Sequence, residues 1–146
     1  MIEIEIISNF LSEVIAFESR YLGIEQPTLV FSTLHGATLG KYTHENCCIA
    51  IQAELINCGT ADELILAVIH EVRHCYQQEA ALLYDRIKDA GYAYLYPISF
   101  GGLIAEENLQ QKSSYDDYYH SVSETDARTY SESRLNIYCK EEVIIH

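Results

Sequence analysis

The chain has 146 residues, 49% hydrophobic and 21% charged, which is enough for one domain with a real core and too few for a second. Nine Lys and Arg face 22 Asp and Glu, giving a net charge of -13 that repels phosphate backbones and argues against nucleic acid as a partner. No apolar run is long enough to span a bilayer, and the start, Met1-Ile-Glu-Ile-Glu-Ile-Ile, carries carboxylates where a secretory signal carries Lys or Arg. The expected location is therefore cytoplasmic, or outside the cell by release without a signal, with no membrane contact. Five cysteines (Cys47, Cys48, Cys58, Cys75, Cys139) make an odd count with no C-x-x-C pair, so free, mostly buried thiols are expected.

In chain order, residues 2–22 place Ile6, Ile7, Phe10, Leu11, Val14, Ile15, Phe17, Tyr21 and Leu22 at helical spacing. Glu3, Glu13, Glu18 and Arg20 take polar positions, and Gly23 is a stop. Residues 28–34, rich in β-branched and aromatic side chains, read as a strand; residues 37–42 are a weaker second and 47–52 a third, after a turn at 44–46. Thr60 followed by Glu63 has capping-box spacing and starts a long helix that runs on through Tyr84. Residues 91–114 are irregular, with an extended stretch at 92–97, a break at Gly101-Gly102 and a short helix over 103–112. A closing helix spans 123–140. The order predicts an α+β domain: N-terminal helix, small three-stranded sheet, long central helix and C-terminal helix.

The long helix carries His70-Glu71-Val72-Arg73-His74, which reads H-E-x-x-H. Residues four apart share a helix face, so both imidazoles point the same way and suit one Zn²⁺, while Glu71 stands on the adjoining face as a general base. Chance supplies only roughly 0.03 such matches in a chain of this composition. Ala67, one turn earlier, keeps that face slim. A catalytic zinc takes three protein ligands and leaves a position for water, so a third must be found. A metzincin would place Gly and His at positions 77 and 80; Gln77 and Ala80 stand there, and Met1 is the only methionine, so there is no Met-turn. Glu124, Asp126 and His120 are the candidates. On a helical wheel centred on Ala127, Glu124 lies roughly 60° from the apolar direction and Asp126 roughly 100° away on the other flank. Either acid also fits a helix cap, after Ser121 or Ser123.

His70-Glu71-x-x-His74 followed by Glu124-x-x-Ala127 resembles the gluzincin branch of zinc metallopeptidases, and the size resembles its small single-domain, minigluzincin-like members from bacteria or phages. The resemblance implies a zincin-like fold over residues 1–146. It also implies hydrolysis of a peptide or protein substrate, with Zn²⁺ on His70, His74 and Glu124 and Glu71 as base. Arg128 departs from it, standing where an Asp often follows the glutamate; Asp126 is then the candidate to orient a ligand histidine. Tyr118, Tyr119 and His120 are candidate oxyanion donors. A chain this short leaves the cleft shallow or completed by a partner protein, with residues 91–120 placed to wall or cover it. The competing reading is a non-catalytic zinc or interaction module on the same scaffold. A cysteine hydrolase built on Cys47, Cys48 or Cys75 has no local signature to support it.

Overall fold

The computed structural model describes residues 4–91, 94–110 and 114–139, excepting the side chains of Asp116 and Cys139. Expectations for Met1 and Glu3, for residues 92–93 of the extended stretch, for Lys112, for Lys140 and for the Cys139 thiol lie outside the described residues. Within them the protein is an α+β domain of six helices and one three-stranded mixed sheet.

Helix α1, Ile4–Leu22, buries Ile7, Leu11, Val14 and Ile15, an i, i+4, i+7, i+8 stripe. It stops at Gly23, whose φ of 72° suits the left-handed turn. Not every apolar residue of α1 goes inward: Ile6, Phe10, Phe17 and Tyr21 remain substantially exposed. Glu18, assigned to the polar face, is instead fully buried. It accepts hydrogen bonds from Tyr130, Arg134 and Tyr138 of the C-terminal helix, which is why a carboxylate survives there.

The sheet has the order β1-β3-β2, with β1 Thr28–Ser32 parallel to β3 Cys48–Gln52 and β2 Gly40–Thr43 antiparallel to it. The second strand is therefore shorter and later than residues 37–42, because 35–38 form the turn that feeds it. Ile49 and Ile51 on the central strand are fully buried. A short helix, α2 Leu55–Cys58, follows.

Helix α3, Ala61–Ile87, is the spine, packing on α1, α2, β2, β3 and the two long helices that follow. Its capping box is formed: Glu63 N–H donates to Thr60 Oγ1 at 3.2 Å, and Thr60 N–H to Glu63 Oε1 at 3.0 Å. Leu64, Ile65, Val68, Ile69 and Val72 fill the core, each buried side chain contributing roughly 1.5–3 kcal/mol of apolar transfer. A 3₁₀ turn, Lys88–Ala90, ends at Gly91 in the left-handed region, φ 88°.

Helix α4, Ile98–Asn108, corrects the expectation of a break at Gly101-Gly102 and a helix beginning at 103. A Cβ on Gly101 would lie 2.1 Å from the Ala80 carbonyl oxygen, so the glycine is there for close approach of α4 to α3. Helix α5, Tyr115–Tyr119, and α6, Val122–Cys139, complete the domain. Of the four described thiols, all free, only Cys75 is buried; Cys47 and Cys48 are half-buried and Cys58 is exposed, short of the burial expected of them. Among the described residues no helix is long and apolar enough to cross a membrane.

Candidate metal centre

His70 and His74 project from one face of α3, their rings 4.8 Å apart and nearly perpendicular. Glu124, in the first turn of α6, reaches both: Oε1 lies 3.1 Å from His70 Nε2 and Oε2 lies 2.7 Å from His74 Nε2. Ligand atoms of His70, Glu71 and His74 also fall within 4.8 Å of one another. Neighbouring ligands at zinc bond lengths of ~2.0–2.1 Å stand about 3.3 Å apart on a tetrahedron, so the Glu124 carboxylate lies slightly closer to each imidazole than two ligands of one ion would.

The hydrogen bonds behind His74 fix its tautomer. Gln77 Nε2 donates to Ser123 O and to Asp126 Oδ2, both at 2.9 Å, which leaves Gln77 Oε1 facing His74 Nδ1 at 2.8 Å. An amide oxygen only accepts, so Nδ1 carries the hydrogen and Nε2 of a neutral His74 is a bare lone pair. That lone pair confronts a carboxylate oxygen at 2.7 Å. Two acceptors at this distance require a cation: a proton on Nε2 or a metal ion. With a proton, His74 is held charged up to about 9: burial opposes this, and Glu124 and the charge of Glu71 overcome it. Burial likewise opposes ionisation of Glu124, yet its bonds to His70 and His74 hold its carboxyl well below the usual carboxylate range.

Glu71 is buried beside the histidines. Burial pushes its carboxyl up, with the charges of His74 and His70 pulling the other way, and it accepts a backbone hydrogen bond from Tyr42. Gly40 makes room for it: a Cβ there would lie 3.1 Å from Glu71 Cγ and 3.2 Å from Oε2. The Tyr118 phenol is pushed upward by burial and then by the charge of Glu124 and a hydrogen bond to it.

His70, Glu71, Glu124 and Tyr118 open into a cleft of about 830 Å³, with His74 behind them. Residues 35–40 form one wall, α5 and α6 supply the other through Tyr115, Tyr118, Tyr119 and Arg128, and Ala67 lies between. Asp126 does not face the histidines. It takes Arg73 Nε at 2.7 Å and Nη2 at 3.2 Å, and touches His74 only through Gln77. The Arg73 guanidinium lies over Tyr76 at 4.5 Å and Tyr130 at 4.6 Å, clamping α3 to α6. His120 is exposed after α5, edge-on to Tyr119, and does not line the cleft. Tyr119 does line it, beneath Arg128.

Sequence reasoning missed Gln77, Arg73 and Gly40. Gln77 was legible, since a residue three after His74 shares its helix face. Arg73 and Gly40 act through α6 and β2, which local spacing does not bring together. No protein family, curated protein or solved structure matches the chain.

Proposed function

We propose that the protein is a zinc-dependent peptidase of zincin-like architecture, with His70, His74 and Glu124 as ligands and Glu71 as general base. The observation that carries this reading is the convergence of two imidazole nitrogens on the two oxygens of Glu124 at 3.1 and 2.7 Å, beside an open cleft that His70 and Glu124 line. Neutral imidazoles and a carboxylate with an open fourth position form a donor set used by catalytic zinc. When bound, zinc supplies Lewis-acid chemistry, lowering the pKa of water toward ~7 and polarising a carbonyl.

The chain's own groups do the rest. Glu71, buried and with its carboxyl pushed upward, takes a proton from the attacking water and returns it to the leaving amine. Gly40 and the Tyr42 N–H hold the Glu71 carboxylate in place. Gln77 holds the hydrogen on His74 Nδ1, so Nε2 is the nitrogen that becomes a lone pair toward the ligand position once its proton is displaced. Tyr118, which hydrogen-bonds Glu124 on the cleft wall, would turn its one phenolic O–H from that carboxylate to a developing oxyanion. The substrate class is a peptide or an exposed segment of a protein, for which the cleft of about 830 Å³ has room.

Zinc-loaded wild type and Glu71→Gln, assayed on a mixed peptide library, test the reading. Cleavage by wild type and a loss of about 10²–10⁴-fold in Glu71→Gln, with zinc retained, is the expected result. Zinc retained by wild type without cleavage of any peptide would transfer the assignment to a non-catalytic zinc module.

A further inference from the structure

Arg128 stands one turn after Glu124 on α6 and is the only Lys or Arg lining the cleft among the described residues. Two other arginines of α3 and α6 are taken up by carboxylates, Arg73 by the half-buried Asp126 and Arg134 by the buried Glu18. Arg128 has no such partner: among the described residues no carboxylate lies within ion-pair distance of it. Its guanidinium carbon sits 3.7 Å from the centroid of the Tyr119 ring, and Nη2 makes one long bond to Thr125 Oγ1 at 3.4 Å. Tyr119 thus positions the guanidinium by cation–π contact while most of its five N–H donors meet no acceptor among the described residues. A guanidinium fork matches a carboxylate in two-pronged geometry.

Resting on the zinc-peptidase reading above, we propose that Arg128 receives a substrate carboxylate and so selects peptides that carry one close to the cleaved bond. One helical turn advances 5.4 Å and one extended residue about 3.3–3.6 Å, which puts that carboxylate about one or two residues from the scissile bond. The carboxylate is either the free C-terminus of a short leaving segment or an Asp or Glu side chain. The net charge of -13 opposes anions at long range. Salt screens that field beyond about 8 Å, and within the cleft the two-pronged contact with Arg128 has to outweigh Glu63 and Glu132, which also line it.

The test uses zinc-loaded Glu71→Gln protein, which binds without turnover, and titration calorimetry with four probes. These are N-acetyl-Leu-Leu with a free or amidated C-terminus, and N-acetyl-Leu-Asp-amide against N-acetyl-Leu-Asn-amide. One charged probe is expected to bind about ten- to a hundred-fold more tightly than its neutral counterpart. Which pair differs identifies the source of the carboxylate. The difference should vanish when Arg128→Gln is added and partly return with Arg128→Lys. Equal affinities within both pairs, a preference that survives Arg128→Gln, or no binding of any probe overturns the proposal. Zinc content measured on the same samples separates the two failures. Protein holding zinc without a charge preference overturns the role of Arg128 alone, whereas protein that takes up no zinc overturns the peptidase reading beneath it.

Discussion

Of the side chains at the centre, Gln77 does most to decide which atoms are available. Its amide, oriented by Ser123 O and Asp126, dictates the His74 tautomer. Gln77→Met should therefore weaken zinc affinity by about 10- to 100-fold while the fold persists, measured by competition with a chelator. The pH behaviour follows from the same contacts. In metal-free protein the folded His74 pKa, about 9, lies above its ordinary 6.5. The stability it contributes is complete below that ordinary value and is lost as pH rises through about 9. Glu124 is depressed below its ordinary 4.5, so its contribution is present above that value and is lost as pH falls. Thermal melts of the metal-free protein should be highest between about pH 4.5 and 6.5 and decline on both sides. Zinc must displace the His74 proton, so binding at pH 7 should release protons, read by calorimetry in buffers of different ionisation enthalpy. A melting temperature flat from pH 7 to 10 would contradict the pairing of His74 with Glu124.

At the scale of elements, the meeting of Glu124 with His70 and His74 depends on how α6 is delivered to α3. The α6 N-terminus is capped from another helix: Glu107 of α4 accepts Val122 N–H at 2.6 Å, Ser123 N–H at 3.3 Å, and the Ser123 hydroxyl. Glu107→Ala should cost about 0.5–2 kcal/mol by chemical denaturation and loosen zinc binding through Glu124. Gly101→Ala should cost about 1–3 kcal/mol or more, because the Ala80 backbone cannot retreat from the added methyl without separating α4 from α3. These couplings explain what was legible in the sequence. The capping box at Thr60 and the stripe around His70 are local signals, and the structure forms both. Gly101-Gly102 carried the same turn chemistry that a true break would carry. Only the approach of a second helix distinguishes a packing glycine from a stop. The short α2 and α5 left no periodicity to read, and β2 is displaced because its register is set by pairing with β3.

Across the whole molecule, the sheet and α1 support one side of α3 while α4 and α6 enclose the other, leaving the cleft between β2 and α6. Glu18 ties the ends of this arrangement together, joining α1 to α6 through Arg134 and two tyrosines. Sequence pattern placed Glu18 on the polar face, because a buried carboxylate is recognisable only from partners more than a hundred residues away. Arg134→Met should strand that charge and destabilise the fold by about 3–5 kcal/mol, a loss that denaturant titration will resolve. The central claim concerns the metal, and the most direct measurement is zinc per chain in purified protein, wild type beside Glu124→Ala. The account predicts about one zinc in wild type and its loss in Glu124→Ala, with the fold kept by circular dichroism. Wild type that binds no zinc at neutral pH, or Glu124→Ala that binds it as tightly as wild type, would contradict it.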